Sequence, residues 1–154
     1  MTAIAIGCDE NGVELKDAII VHLERRGYRV DDFGTRAGVS DDYPDVAERV
    51  SLKVAEGEYD RAILICGTGL GMAIAANKVR GVRAASVTDP YSAERARKSN
   101  NAQVLCLGAQ VIGLSLAELL VDHWLDSEFT GGRSTRKVDK LIDLDCRARG
   151  SATS

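Results

Sequence analysis

The stretch Ile63-Leu64-Ile65-Cys66-Gly67-Thr68-Gly69-Leu70-Gly71-Met72 decides how this chain folds. A run of aliphatic residues ends on a thiol, and glycines then alternate with Thr68 and Leu70. A short apolar run bounded by turn residues reads as a strand buried on both faces. Residues 67–72 read as a glycine-rich turn and the first turn of a helix. That order puts a row of backbone N–H groups and a positive helix end beside one nucleophilic sulfur. Such a place can hold an anion, draw a proton from carbon, or do both.

Working outward, strand and helix patterns alternate. Residues 3–7 are an apolar run closed by Gly7, and residues 13–26 carry Leu15, Ala18, Ile19 and Leu23 at helical spacing before Gly27. Residues 28–33 alternate as a second strand, 34–42 are polar, and Pro44 stands in the first turn of a helix over 43–56. The third strand covers 61–66, and its helix covers 71–78. Next come a strand over 83–87, a helix over 91–99 opened by Asp89-Pro90, a strand over 103–107 stopped by Gly108, and a helix over 116–127. Phe129-Thr130-Gly131-Gly132 is a hinge, leading to a charged helix over 134–149 and a frayed tail from Gly150.

Short apolar strands separated by helices predict an α/β fold: a three-layer, doubly wound, Rossmann-like parallel sheet of five strands with an extra C-terminal helix. Residues 1–150 are expected to form one domain, with a tail at 151–154. The two-glycine hinge lets the last helix pack on a neighbouring subunit instead of its own sheet. Ligands of such sheets bind outside the carboxyl ends of the strands. Here those ends are Gly7-Cys8-Asp9, Cys66 through Gly71, Thr88-Asp89 and Gly108.

Bulk composition narrows the function classes. With 154 residues, 45% hydrophobic and 28% charged, the chain reads as an ordinary globular protein able to bury a core. A net charge of −3 gives no electrostatic support to nucleic-acid binding. No apolar run approaches the ~20 residues of a membrane span, and the start of the chain lacks the basic stretch of a signal peptide. Cys8, Cys66, Cys106 and Cys146 show neither CxxC pairing nor metal spacing, so reduced thiols in a cytoplasmic protein are expected.

The strand-end residues carry the candidate chemistry. A helix N-terminus and nearby N–H donors favour the thiolate of Cys66, a competent base or nucleophile. A buried structural cysteine is the alternative. Gly67, Gly69 and Gly71, with Leu70 between them, permit close approach of a ligand to backbone, or simply form a tight turn. Neither a Walker loop nor a full dinucleotide fingerprint fits, since Met72 stands where the latter wants glycine. Asp89 nonetheless lies at a ribose-holding distance downstream. Thr68 could relay a proton or cap the helix, and Asp9 could orient hydroxyls or cap the first helix. Asn77 and Asn100 stand near helix C-termini, as ligand contacts or caps. Arg133, Arg136 and Lys137 oppose the dipole of the last helix, a conflict that an anionic ligand relieves; a solvated face is the alternative. His22 and His123 lie within helices and read as packing or surface residues. Together these features suggest proton transfer α to a carbonyl, with each oxyanion donor contributing ~3 kcal/mol.

On these residues the chain resembles the ribose-5-phosphate isomerase B / galactose-6-phosphate isomerase family. The resemblance runs from about Ile4 to Val138 and rests on several blocks. They include Ala5-Ile6-Gly7-Cys8-Asp9, Asp32-Phe33-Gly34-Thr35, Asp42-Tyr43-Pro44, Ile63 to Gly71 with Ala75-Ala76-Asn77-Lys78, Gly81-Val82-Arg83-Ala84 and Gly131-Gly132-Arg133. It implies cofactor-free aldose–ketose isomerisation of a phosphorylated sugar through a cis-enediolate. It also implies a homodimer or dimer of dimers whose active sites are shared between subunits. Carried over, Cys66 is the base, Thr68 the proton relay, and Gly67 to Gly71 the anion hole. Asp9 and Asn100 then contact the sugar, and Arg133 the phosphate.

The chain departs from the family pattern at Glu10 (usually His), Ser99 (a ring-opening His), Gln110 (a phosphate Arg) and Lys137 (a second C-terminal Arg). A tetrose 4-phosphate cannot close a furanose, because its O4 carries the phosphate. An enzyme for such a sugar needs no ring-opening histidine. Residues 98–103 also resemble the erythritol-pathway branch of the family. The expected substrate pair is therefore D-erythrulose 4-phosphate and D-erythrose 4-phosphate, with ribose 5-phosphate the competing substrate. A nucleotide-binding oxidoreductase and a non-catalytic sugar-phosphate sensor are the readings of other classes.

Overall fold

The computed structural model describes residues 2–150; the expected tail at 151–154 lies outside them. The elements are β1 (Ala3–Cys8), α1 (Val13–Arg25), β2 (Arg29–Asp32), α2 (Tyr43–Ala55), β3 (Arg61–Cys66), α3 (Leu70–Ala76), β4 (Ala84–Ser86), α4 (Pro90–Lys98), β5 (Val104–Gly108), α5 (Leu114–Leu125) and α6 (Thr135–Gly150). The strands pair in parallel as a five-stranded sheet ordered β2-β1-β3-β5-β4. The α/β class, the five parallel strands and the extra C-terminal helix agree with the sequence reading.

That order sets the layers. A right-handed crossover toward one edge puts its helix on one face of the sheet, and a crossover in the opposite direction puts it on the other. The moves β1 to β2 and β4 to β5 run the same way, so α1 and α4 share a face. The moves β2 to β3 and β3 to β4 run oppositely and carry α2 and α3. The buried clusters agree. Ile19 and Leu23 of α1, Ala93 and Ala96 of α4, and Leu120 and Trp124 of α5 pack on Ile63 and Ile65 of β3. Val46 and Val50 of α2, with Met72 and Ala76 of α3, pack on Leu64 and Cys66. Cys66 therefore looks toward the α2/α3 layer, and every residue of β3 is buried.

Some boundaries differ from the sequence reading for identifiable reasons. The helix expected over 71–78 spans Leu70–Ala76, because the left-handed Gly69 (φ 77°) turns the chain directly into it. Asn77 then leaves the helical pattern. Its amide donates to the Ala84 carbonyl and its oxygen accepts the Ala84 N–H, both at 2.9 Å. Asn77 thus clamps β4. The helix expected over 116–127 spans Leu114–Leu125. At its end Arg61 donates to the carbonyls of Trp124, in the last turn, and of Ser127, just beyond it. At the expected hinge Gly131 and Gly132 both have positive φ, and a 3-10 turn over Gly132–Ser134 leads into α6. Gly150, expected in the tail, still belongs to α6.

α6 lies beside the β4 edge, where Gly81 N–H donates to Asp145 and Arg80 to Cys146 Sγ. Its Leu141, Ile142 and Leu144 are exposed. His22, as expected, is a packing residue: its ring lies 2.7 Å from Asp122 and ties α1 to α5. No helix among the described residues is long and apolar enough to cross a membrane.

Gly7 tests the α2 packing. A Cβ there would stand 2.9 Å from Val46 and 3.0 Å from Val50. Overpacking of this kind costs ~1–3 kcal/mol. Gly7→Ala is expected to lower stability by that amount, read as a lower urea midpoint with an unchanged m value. An unaltered midpoint would show that α2 sits loosely on β1.

Candidate active site

β3 delivers Cys66 to the carboxyl end of the sheet, where its Sγ accepts the Gly69 N–H at 3.2 Å. This hydrogen bond needs a turn that doubles back at once, and the positive φ of Gly69 supplies it. The turn is stitched to the end of β5: Ala109 N–H donates to the Cys66 carbonyl and Gln110 N–H to the Gly67 carbonyl, both at 2.9 Å. Thr68 is exposed, and its Oγ1 accepts the Leu70 N–H at 3.3 Å. The Gly69 and Leu70 amides are thus already used. Among the described residues those of Thr68 and Gly71 have no such partner. The other strand-end thiol and the mid-sheet thiol differ in kind. Burial pushes Cys8 up to about 11 and pushes Cys106 up further still. Both are inert packing groups at neutral pH.

Asp9 and Glu10 sit at the end of β1, next to this turn. The Asp9 N–H donates to the Ile65 carbonyl, the residue before Cys66. The Asp9 side chain accepts the Asn11 N–H at 3.0 Å, while Gly12 stands at the N-cap of α1 without side-chain help. Asp9 therefore does not cap that helix; it orders the turn before it. Glu10 is exposed and accepts the Asp41 N–H at 3.3 Å, linking this wall to the loop before α2. That loop is held from below by Lys16, which is buried and donates to Asp32 at 2.6 Å and to the Thr35 carbonyl at 3.2 Å.

Burial raises the pKa of Asp9 above its ordinary value, outweighing the Asn11 hydrogen bonds. The folded state then binds this proton more tightly than the unfolded chain. Ionising Asp9 costs stability, progressively, as pH rises from the ordinary value of 3.8 through the higher folded value. Asp9→Asn is expected to gain stability relative to the parent as pH climbs through that window and to keep the gain at pH 7. A difference between variant and parent denaturant midpoints that is the same at pH 3 and pH 7 would contradict this.

The structure does not bring every expected site residue to Cys66. In the β3–β5 register Ala62 pairs with Val104 and Cys66 with Gly108. Asn100 precedes β5, so it lies at the amino end of the sheet. Four strand residues separate that level from Cys66, about 13 Å. Arg133 shares a surface cleft with Lys98 and Ser99 at the same end, and Asn100 lines the groove beneath α6. Lys137 is exposed on α6, next to Arg136. Within one chain, then, Cys66, Thr68, Gly67, Gly69, Leu70, Gly71, Asp9 and Glu10 gather at one end, and Asn100, Arg133 and Lys137 at the other. Cys66 is only 4% exposed. Its flanks Gly67 and Thr68 are more open, so one chain offers it a shallow approach rather than a closed pocket.

Tyr43 was not among the expected site residues. Its ring lies so close to Gly71 that a Cβ there would come within 2.6 Å of it. The ring is partly exposed and walls the turn from the α2 side. The signal in the sequence was an aromatic residue directly before the helix-opening Pro44. Gln110, which stands where the resemblance expects a phosphate arginine, lies on the other side: its carboxamide covers Gly67, with Oε1 2.9 Å from where a Cβ would be. Asp89, the candidate ribose contact, is a helix cap that accepts the Ser92 N–H at 2.8 Å. That leaves the dinucleotide reading without its acidic partner.

Comparison with known proteins identifies the family. A family model described as Ribose/Galactose Isomerase matches residues 4–141. "Ribose-5-P isomerase B" of Listeria innocua is 55% identical over 146 residues, 95% of this chain and 99% of the relative. "D-erythrulose-4-phosphate isomerase" of Pectobacterium atrosepticum is 50% identical over 142 residues, 92% and 93% of the two chains. The solved ribose-5-phosphate isomerase B of Clostridium thermocellum superposes with a TM-score of 0.93 at 48% identity, covering 96% of this chain and 99% of that one. A family model matching residues 4–141, with relatives matching over nearly the whole length, makes this chain a member of the ribose/galactose isomerase family of sugar-phosphate isomerases.

Proposed function

We propose that the enzyme interconverts D-erythrulose 4-phosphate and D-erythrose 4-phosphate through a cis-enediolate. The observation that carries the chemistry is the Cys66 sulfur, held by the Gly69 N–H at the rim of an amide-rich turn. The Cys66 thiolate removes the proton from C1 of the ketose and returns it to C2, giving the aldose. The Thr68 hydroxyl moves the second proton between O2 and O1. The amides of Thr68 and Gly71 face the oxygen that gains charge. Asp9 and Glu10 contact sugar hydroxyls. The two carbons exchange oxidation state within one molecule, so the chemistry calls for no external redox partner.

A second copy of the chain completes the site in this reading. Arg133, Lys137 and Asn100 lie at the far end of their own sheet. An amino end from one copy placed over the carboxyl end of another closes the shallow approach to Cys66 and supplies cations for the phosphate. The wall from the first copy carries Asp9, Glu10 and Asp41, and its nearby cations Arg49 and Lys16 are already engaged, Arg49 with Asp41 and the Phe33 carbonyl and Lys16 with Asp32.

Ser99 supports the tetrose substrate: a hydroxyl stands where the family resemblance expects a ring-opening imidazole, and a tetrose 4-phosphate has no furanose to open. The relative from Pectobacterium bears the matching name. Ribose 5-phosphate is the second reading, favoured by the name of the Listeria relative. Turnover of purified protein on ribose, allose, galactose and tetrose phosphates separates them. Higher kcat/KM on erythrulose 4-phosphate than on ribose 5-phosphate is expected, and the reverse order would end the open-chain proposal. Ligand binding without solvent-deuterium incorporation into any sugar would instead mark a sensor.

A further inference from the structure

The amino end of the sheet holds a cleft of about 480 Å³ that the isomerase chemistry does not use. Three arginines line it, Arg61 from β3, Arg83 before β4 and Arg97 from α4. Arg61 and Arg97 are each only 7% exposed. Each guanidinium also holds backbone, and Arg61 lies over the Trp124 ring as well. Arg61 serves the end of α5, Arg83 donates to the Asn101 carbonyl, and Arg97 donates to the Ala102 carbonyl. Carbonyl acceptors do not neutralise a guanidinium charge, so compensation falls to a few carboxylates, with Asp145 acting on Arg83. The acidic residues at this cleft are Asp60 and Glu128. The Glu128 side chain is 71% exposed, 2.9 Å from Arg61 and 4.0 Å from Arg97. Arg97 Nε is buried without a partner.

Crowding three cations into a half-enclosed cleft is unfavourable unless an anion shares it. Burial, and then the nearby charge of Arg61, lower Arg97 to about 10. Forked guanidinium donors match phosphate oxygens better than a lysine would.

We propose that this cleft is a second anion site, built to take a small phosphate dianion, free or as a phosphate monoester, on Arg61, Arg83 and Arg97. Glu128 is its built-in competitor, occupying the Arg61 fork when the ligand is absent. Glu128 also borders the neighbouring cleft that carries Arg133. Occupancy of one site therefore alters the charge facing the other.

The test uses the Arg133→Ala/Lys137→Ala chain, which removes the proposed substrate phosphate contacts. Inorganic phosphate and glycerol 3-phosphate are titrated by calorimetry. Binding is expected to survive in this background. Arg83→Met should weaken it about tenfold. Arg97→Lys keeps the charge, loses the fork and should also weaken it. Glu128→Gln should tighten it about threefold, the scale of an exposed ion pair. Tighter binding of glycerol 3-phosphate assigns the site to monoesters, and tighter binding of inorganic phosphate assigns it to the free ion. No binding in the double variant, or binding indifferent to Arg83→Met, overturns the proposal. So does weakening by Glu128→Gln, because a carboxylate that helps the ligand is not its competitor. Erythrulose 4-phosphate turnover is read separately on the parent chain, so failure here leaves the isomerase proposal standing.

Discussion

Cys66→Ala is expected to lower kcat by about 10²–10⁴-fold, the loss on removal of a positioned general base. The fold should survive. The side chain shrinks by one sulfur at the rim of the α2/α3 core, and the Gly69 N–H it accepts lies at the carboxyl end of the sheet beside the more open Gly67 and Thr68. KM should move little, because the sulfur meets the reacting carbon and not the phosphate. The check pairs steady-state kinetics with solvent-deuterium exchange into the product, since isomerisation and exchange share the enediolate. Loss of both with an unchanged melting temperature assigns proton transfer to the thiol. Near-native turnover would move the base to Asp9 or Glu10, the carboxylates on the same wall. Cys106→Ala is the control: its thiol is fully buried in mid-sheet and held protonated by burial, so kcat should not respond.

Mixing two inactive variants should restore activity. Cys66→Ala damages the carboxyl end of the sheet, and Arg133→Ala damages the amino end. If each active site combines the two ends from different copies, a mixed dimer holds one site with both defects and one with neither. Random exchange makes half of the dimers mixed, so about a quarter of the native sites return. Refolding the two variants together and assaying against each alone measures this. No recovery after verified subunit exchange would mean that the sites are not shared. Arg133 and Lys137 would then need another role. The expectation is sharp because four strand residues separate the two ends within a chain, too far for one copy to bring them together.

The Ile63 to Met72 stretch encodes its own local geometry, a buried strand turning at once into a helix. A buried strand can end on Cys66 and enter a helix at once only through residues tolerant of positive φ and close contact. Gly69 does take positive φ, and Gly71 does lie against a ring. Element order was equally legible, because the hydrophobic period reports burial residue by residue. Two things were not legible. Insertion of β5 between β3 and β4 depends on which edge of β3 wins a partner, and parallel strands with similar apolar faces do not announce that locally. Asn77 read as a cap or a ligand contact, because nothing near it in sequence shows that Ala84 comes back to pair with it.

The chain's own order of residues determined the class of fold, the thiol-and-glycine turn and the strand end on which it sits. All of these arise from interactions within a few residues: period, turn conformation and helix start. Only the tertiary structure decided that Tyr43 and Gln110 wall that turn, and that Asn100, Arg133 and Lys137 stand at the opposite end of the sheet. The same holds for the meeting of Arg61, Arg83 and Arg97 in one cleft. Those facts depend on strand order and crossover hand, which bring together residues far apart in sequence, and no local pattern encodes a distance of that kind.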